Sequence, residues 1–187
     1  ADQPTYLTFR PTPLSASIAY PDTAAGVYVG DPAQEPNAID ITQRNLGGSL
    51  GGLLELRDYV FPKQMAQLDE LAHKMALRFE AQGLRLFTDP TSAIPPDTPP
   101  DTSTNPPTPV EYVGFSAQIQ VNQNIIDDPS LIQRGTYGGN VATGASDVVR
   151  RVIENVFTEV EYQLASNADT ATAVDIRSNA TGGTTLQ

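Results

Sequence analysis

The chain of 187 residues contains no cysteine and no tryptophan, one histidine, and 11 Lys and Arg against 22 Asp and Glu. Each scarcity removes a class of function. Without cysteine there is no disulfide framework, no thiol nucleophile and no thiolate-bound zinc. Without tryptophan, a sugar site lacks a common stacking surface. A lone histidine, His73, leaves no partner for a two-histidine zinc helix. The net charge of −11 and a pI near 4.3 repel phosphates and anionic headgroups, so no nucleic acid or membrane partner is expected. No apolar run approaches the roughly 20 residues of a membrane helix. The start, Ala1-Asp2-Gln3-Pro4, carries no charged segment followed by an apolar one, so no signal peptide is read. The absence of an initiator methionine leads us to expect an internal portion of a longer protein.

What is present is a chain with 39% hydrophobic residues, enough for a modest core. Residues 1–46 alternate β-prone runs with prolines. Tyr6-Leu7-Thr8-Phe9, Gly26-Val27-Tyr28-Val29-Gly30 and Ile39-Asp40-Ile41 predict a small antiparallel unit of short strands. Residues 47–87 predict a long helix opened by Gly47-Gly48-Ser49-Leu50-Gly51-Gly52 and stopped at Gly83. Pro62 marks a kink or a junction of two helices. Phe61, Met65, Leu68, Ala72, Met75 and Phe79 recur at spacings of four and three, and an earlier stripe runs through Leu53, Leu56 and Val60. Leu56, Val60, Phe61, Met65 and Leu68 are therefore the expected packing residues, facing the core first and neighbouring subunits second. On that reading Leu68→Asp buries an unpaired charge and unfolds the rod.

Residues 88–142 open with a proline-rich stretch, expected to be an extended or mobile loop. A PxxP ligand would want flanking basic residues, which are lacking. The alternation of Phe115, Ala117, Ile119 and Val121 predicts a strand over Tyr112–Val121. Asp127-Asp128-Pro129-Ser130 predicts a turn, with acids able to cap a short helical turn at Leu131-Ile132. Residues 143–166 predict a second long helix, with Val149, Val152, Ile153, Val156, Phe157 and Val160 on its apolar face. Residues 167–187 are small and polar and read as a flexible tail.

The candidates for chemistry each have a plainer reading. His73 sits one position off the apolar stripe, so it reads as a surface histidine. The glycines at 47–52 lack the Lys-Ser/Thr pair of a phosphate loop and the dinucleotide spacing, and read as a close backbone approach before the helix. Asp69 and Glu70 are adjacent on a helix and point about 100° apart, so they do not converge on a substrate. Asp127 and Asp128 lack the EF-hand spacing and read as turn and cap. No catalytic, metal-binding or cofactor-binding residue is assigned, and no cofactor is expected.

The run Gly47-Gly48-Ser49-Leu50-Gly51-Gly52-Leu53-Leu54-Glu55-Leu56-Arg57-Asp58-Tyr59-Val60-Phe61-Pro62, then Gln67-Leu68-Asp69-Glu70-Leu71-Ala72, resembles the first hook-associated protein family of the bacterial flagellum. There a G-G-x-L-G-G-L-L-x-x-R-D motif opens a long helix and a Q-L-D-x-L-A stretch follows a proline. Val121-Asn122-Gln123-Asn124-Ile125-Ile126-Asp127-Asp128-Pro129-Ser130-Leu131-Ile132 is similar to the family's V-N-x-x-I-x-x-D-P-S-L-I pattern. The resemblance implies export through the flagellar type III channel and an extracellular place between hook and filament. It also implies self-association and contact with hook protein, flagellin and the second junction protein. The expected fold is α+β: two long helices packed antiparallel, a small antiparallel β portion and a proline-rich loop. The expected role is structural and not enzymatic. Two other classes stay open at this point: a secreted adhesive or ligand-binding module using Tyr112–Tyr137, and a hydrolase using His73 or the Asp127 pair.

Overall fold

The computed structural model describes residues 6–44, 47–101, 103–104, 108–137 and 146–157. It is an α+β fold organised along one helical rod from Gly48 to Ala81. Strands β1 (Leu7–Phe9), β2 (Val27–Val29) and β3 (Ile39–Asp40) form an antiparallel sheet in that order. Thr8 lies opposite Tyr28, and Tyr28 lies opposite Asp40. The strands are short because prolines and turns crowd the segment and cannot feed a ladder. Val27 and Ile41 bury against Leu54 of the rod. Arg57 adds a hydrogen bond of 3.0 Å from its guanidinium to the Ala25 carbonyl.

The rod is two helices joined by a π-turn. Helix α1 (Gly48–Glu55) passes into the π-turn at Leu56–Val60, which leads into α2 (Phe61–Ala81). Pro62 explains the joint. It has no N–H for the Asp58 carbonyl, and the Phe61 N–H bonds to Leu56, five residues back. The alternatives of a kink or a junction at Pro62 thus resolve into a junction that stays helical throughout. Helix α2 stops where Gly83 takes φ +88°, a left-handed value that glycine adopts without a Cβ clash.

Beyond the rod, β4 (Phe87–Thr88) pairs antiparallel with β5 (Gln120–Val121). Asn122 is buried and fully used: its side chain donates to the Arg85 carbonyl and caps α3 (Gln123–Asp127) through the Asn124 N–H. Helix α4 (Leu131–Arg134) ends at Gly135, whose φ of +82° and ψ of 163° belong to glycine alone. A Cβ there would lie 2.8 Å from the Gly83 carbonyl oxygen, so the two glycines let the backbones touch. Helix α5 (Asp147–Val156) buries Val148 and Val152 against Phe79, Leu84 and Ile125. It runs back along α2, since Arg151 reaches the Gln82 carbonyl and the Phe157 ring lies 5.8 Å from that of Phe79.

Several expectations are corrected. Tyr112–Val121 is not one strand: Phe115–Ala117 is a 3₁₀ turn and only Gln120–Val121 pairs. Loop residues 112–116 instead wrap onto α2, which overrides the local alternation. The proline-rich stretch is not a detached excursion. Ile94 packs in the core, the Pro95 carbonyl meets His73, and Asp97 bonds Lys74 at 2.9 Å. The second long helix is described only as α5, and its expected continuation to 166, with Val160, lies outside the described residues, as does the tail at 167–187. On α5 the inward residues are Val148 and Val152, whereas Ile153 and Phe157 are exposed.

Candidate functional site

The rod has two long faces, and their chemistry is the reverse of what hydrophobicity predicts. The inner face of α2 buries Pro62, Ala66, Asp69, Glu70, Ala72, His73, Ala76 and Phe79. Three alanines in that set leave room for loop backbone to lie close. The outer face carries Phe61 (45% exposed), Leu68 (55%), Leu71 (57%) and Met75 (36%).

On the inner face, Asp69 is 2% exposed and organises the loop at 112–116. Its carboxylate accepts from the Gly114 N–H at 2.7 Å, from the Ser116 N–H at 2.9 Å and from the Ser116 hydroxyl. Gly114 takes φ +86°, which turns its N–H toward that carboxylate without a Cβ penalty. These donors replace the water that a buried carboxylate loses. His73 is fully buried, one helical turn further on. Its ring stacks on Tyr112 at 4.3 Å between centroids and meets Phe115 edge-on at 6.2 Å. Its Nε2–H donates to the Pro95 carbonyl at 2.8 Å. Burial holds the His73 pKa below its ordinary value, against smaller opposing effects of the Pro95 carbonyl and the Asp97 charge. Burial likewise raises the Tyr112 phenol, reinforced by the negative charges of Glu70, Asp97 and Asp69. His73 Nδ1 and the Tyr112 hydroxyl meet no hydrogen-bond partner among the described residues.

This cluster is sealed. Tyr112, Phe115, Ala72, Ala76 and Val110 close it from one side, and the chain at Ile94–Pro95 covers the other. The ring nitrogen that points to a carbonyl is committed to holding the proline-rich segment in place. The arrangement fastens two loops to a helix. His73 is therefore not a surface histidine, and Asp69 and Glu70 are buried beside it. Asp69 instead orders a loop, a task that its sequence neighbourhood does not suggest. The signal is weak: a Gly-x-Ser pair at 114 and 116, some forty-five residues away, with no local link to Asp69.

The five expected packing residues divide. Met65 is half-buried against Ala16 and Ala66, and Val60 is half-buried in the π-turn. Leu56 (37% exposed), Phe61 and Leu68 face solvent, so the core is not their place. The expected unfolding by Leu68→Asp loses its premise, because a charge at a site 55% exposed stays hydrated. The seam that is exposed has its own regular spacing: Phe61, Gln64, Leu68, Leu71 and Met75 fall at three and four, one strand of a coiled-coil pattern. Leu53 (62% exposed) and Leu56 extend it through α1 and the π-turn.

The other candidates are accounted for locally. Asp127 accepts from the Gln123 amide, and Asp128 bonds the Ser130 N–H and hydroxyl and the Arg134 guanidinium. At the glycine-rich start, Cβ atoms built on Gly47, Gly48 and Gly52 would meet nothing within 4 Å. At these three glycines no close backbone approach is met, and Gly48 needs its positive φ of +71°. Comparison of the chain with known protein families, with curated proteins and with solved structures finds no match.

Proposed function

We propose that this protein is a structural component of the bacterial flagellum, placed at the junction of hook and filament and acting by packing against neighbouring subunits. Two lines support the reading. The ordered motif from Gly47 to Ala72, with the later run from Val121 to Ile132, is similar to the first hook-associated family. The single observation that carries the packing role is the exposed seam Phe61-Leu68-Leu71-Met75 on a long helix. Contiguous exposed apolar surface of this kind marks an interaction face. The polar groups that could do chemistry, Asp69 and His73, are spent on internal fastening.

The test is immunogold electron microscopy of the source cells with antibodies raised against this chain. Gold in one band where hook meets filament is the expected outcome. Label along the whole filament would move the reading to a filament protein, and no label on flagella would overturn it.

A further inference from the structure

Residues 94–100 lie against α2 with almost no backbone hydrogen bonding. Pro95, Pro96, Pro99 and Pro100 have no N–H to give. Among the described residues, the backbone of this stretch takes part in one hydrogen bond, from the His73 ring to the Pro95 carbonyl at 2.8 Å. We propose that residues 94–100 form a strap latched to the rod by His73, and that protonation of His73 releases the strap while the rest of the fold stays intact. The proposal is independent of the flagellar reading.

The other fasteners of the strap are weak. Ile94 is only half-buried where it packs on the cluster of Ala72, Ala76, Val110, Tyr112 and Phe115. Lys74 meets Asp97 at 2.9 Å, and the Thr98 hydroxyl donates to Glu111 at 2.9 Å, but Asp97, Thr98 and Glu111 are all exposed. Polar contacts in water hold little, because solvent competes for both partners. A segment with so few buried contacts opens more readily than the helix it crosses. The His73 bond therefore decides whether the strap stays down.

The closed latch suits a neutral ring. Nε2–H donates to the carbonyl, and Nδ1, fully buried, has no partner among the described residues. A proton arriving at Nδ1 creates a charged ring with a second donor, stacked on Tyr112 and away from water. The charged groups around it are otherwise engaged. On α2, Asp69 holds the Gly114 and Ser116 N–H groups, Lys74 repels a cation, and the charge of Glu70 bears on the Tyr112 phenol. On the strap, Asp97 sits at the Lys74 ammonium, and on the facing loop Glu111 accepts from Thr98. Burial thus outweighs the pull of the Pro95 carbonyl and Asp97 on a proton. With the strap lifted, water reaches the ring, which then titrates near its ordinary value of 6.5. The open form binds the proton more tightly, so acid favours it. Between about pH 7.5 and 5 the open population should rise by up to about thirtyfold.

The chain has one histidine, so its ring resonances are unambiguous, and nuclear magnetic resonance of the whole chain is the test. At about pH 7.5 the ring nitrogens should show the Nε2–H tautomer. As the pH falls to about 5, the ring should become imidazolium. The amide signals of Ile94, Asp97 and Thr98 should move toward random-coil values with the same midpoint, while those of β1–β3 and α5 hold still. In His73→Gln the side-chain amide can still donate to the Pro95 carbonyl but does not titrate, so the strap signals should stay fixed over that range. If that variant does not fold, the shared midpoint in the wild type decides. A ring that charges while the strap signals stay would overturn the proposal. So would a strap that moves alike in His73→Gln, native signals lost everywhere together, or a neutral ring under a closed strap at about pH 5.

Discussion

The two faces of α2 make the most useful comparison in this molecule. One face carries an aspartate, a glutamate and a histidine and is sealed; the other carries two leucines, a methionine and a phenylalanine and is wet. Burial here is decided by what each side chain can find to bond with. Asp69 and the Nε2–H of His73 lie against ordered partners, namely the Gly114 and Ser116 N–H groups and the Pro95 carbonyl, and the small alanines between them admit those loops. Hydrogen bonding of this quality offsets desolvation. The outer apolar groups, Phe61, Leu68, Leu71 and Met75, have no segment among the described residues lying over them.

This contrast can be broken from either side. Asp69→Ala should have the largest effect, destabilising by about 3–5 kcal/mol, because it strands two part-buried N–H groups and a hydroxyl. Chemical denaturation measures it, and a loss under about 1 kcal/mol would mean that the loop at 112–116 is held by its aromatic residues alone. Gly135→Ala should cost about 3 kcal/mol, from a backbone conformation reserved for glycine and a Cβ 2.8 Å from the Gly83 oxygen.

His73 gives the inner face a pH signature. Its folded pKa lies below the ordinary value of 6.5 because burial penalises the charged ring. The unfolded chain therefore binds the extra proton first, and stability rises with pH across this titration. The contribution is complete above pH 6.5 and is lost as pH falls from there toward the depressed folded value. The slope due to this one proton is at most about 1.4 kcal/mol per pH unit. Comparing unfolding midpoints of the wild type and His73→Gln between about pH 7.5 and 5 isolates it, with the shallower slope expected in the variant.

The outer side should respond far less. Gly52→Ala should stabilise α1 by about 0.5–1 kcal/mol, since the glycine is helical and a Cβ there meets nothing. Thermal melting would show the gain, and a loss would reveal a contact at that position. Leu68→Asp should change the stability of the monomer by no more than about 0.5 kcal/mol, read at low concentration. A folded, normally melting variant separates an outer seam from a core stripe, and an unfolded one would restore Leu68 to the core.

Much of the architecture was legible. Val27-Tyr28-Val29 and Ile39-Asp40 lie in β-strands because β-branched residues alternate there between prolines. The rod was readable because apolar residues recur at three and four from Leu53 to Phe79, and its end because Gly83 tolerates a left-handed backbone. The alternation at Phe115–Val121 misled, since Phe115 is buried against α2 from within a 3₁₀ turn and only Gln120–Val121 finds a strand partner. His73 was placed outside, and the role of Asp69 was missed, for a related reason. Local hydropathy assigns polar groups to water, and the groups that satisfy these two come from positions 95, 114 and 116.

By itself, the sequence determined the set of elements: short strands, a long helix with a break at Pro62, capped turns and a second amphipathic helix at α5. These are local properties, set by backbone sterics, missing N–H groups and the period of the side chains. Only the tertiary structure decided which side of the rod is inside. The spacing of Phe61–Phe79 serves two overlapping stripes, one through Met65, Ala72 and Phe79 and one through Leu68, Leu71 and Met75. The choice between them fell to distant loops, whose N–H and carbonyl groups meet the Asp69 carboxylate and the Nε2–H of His73 on the inner side.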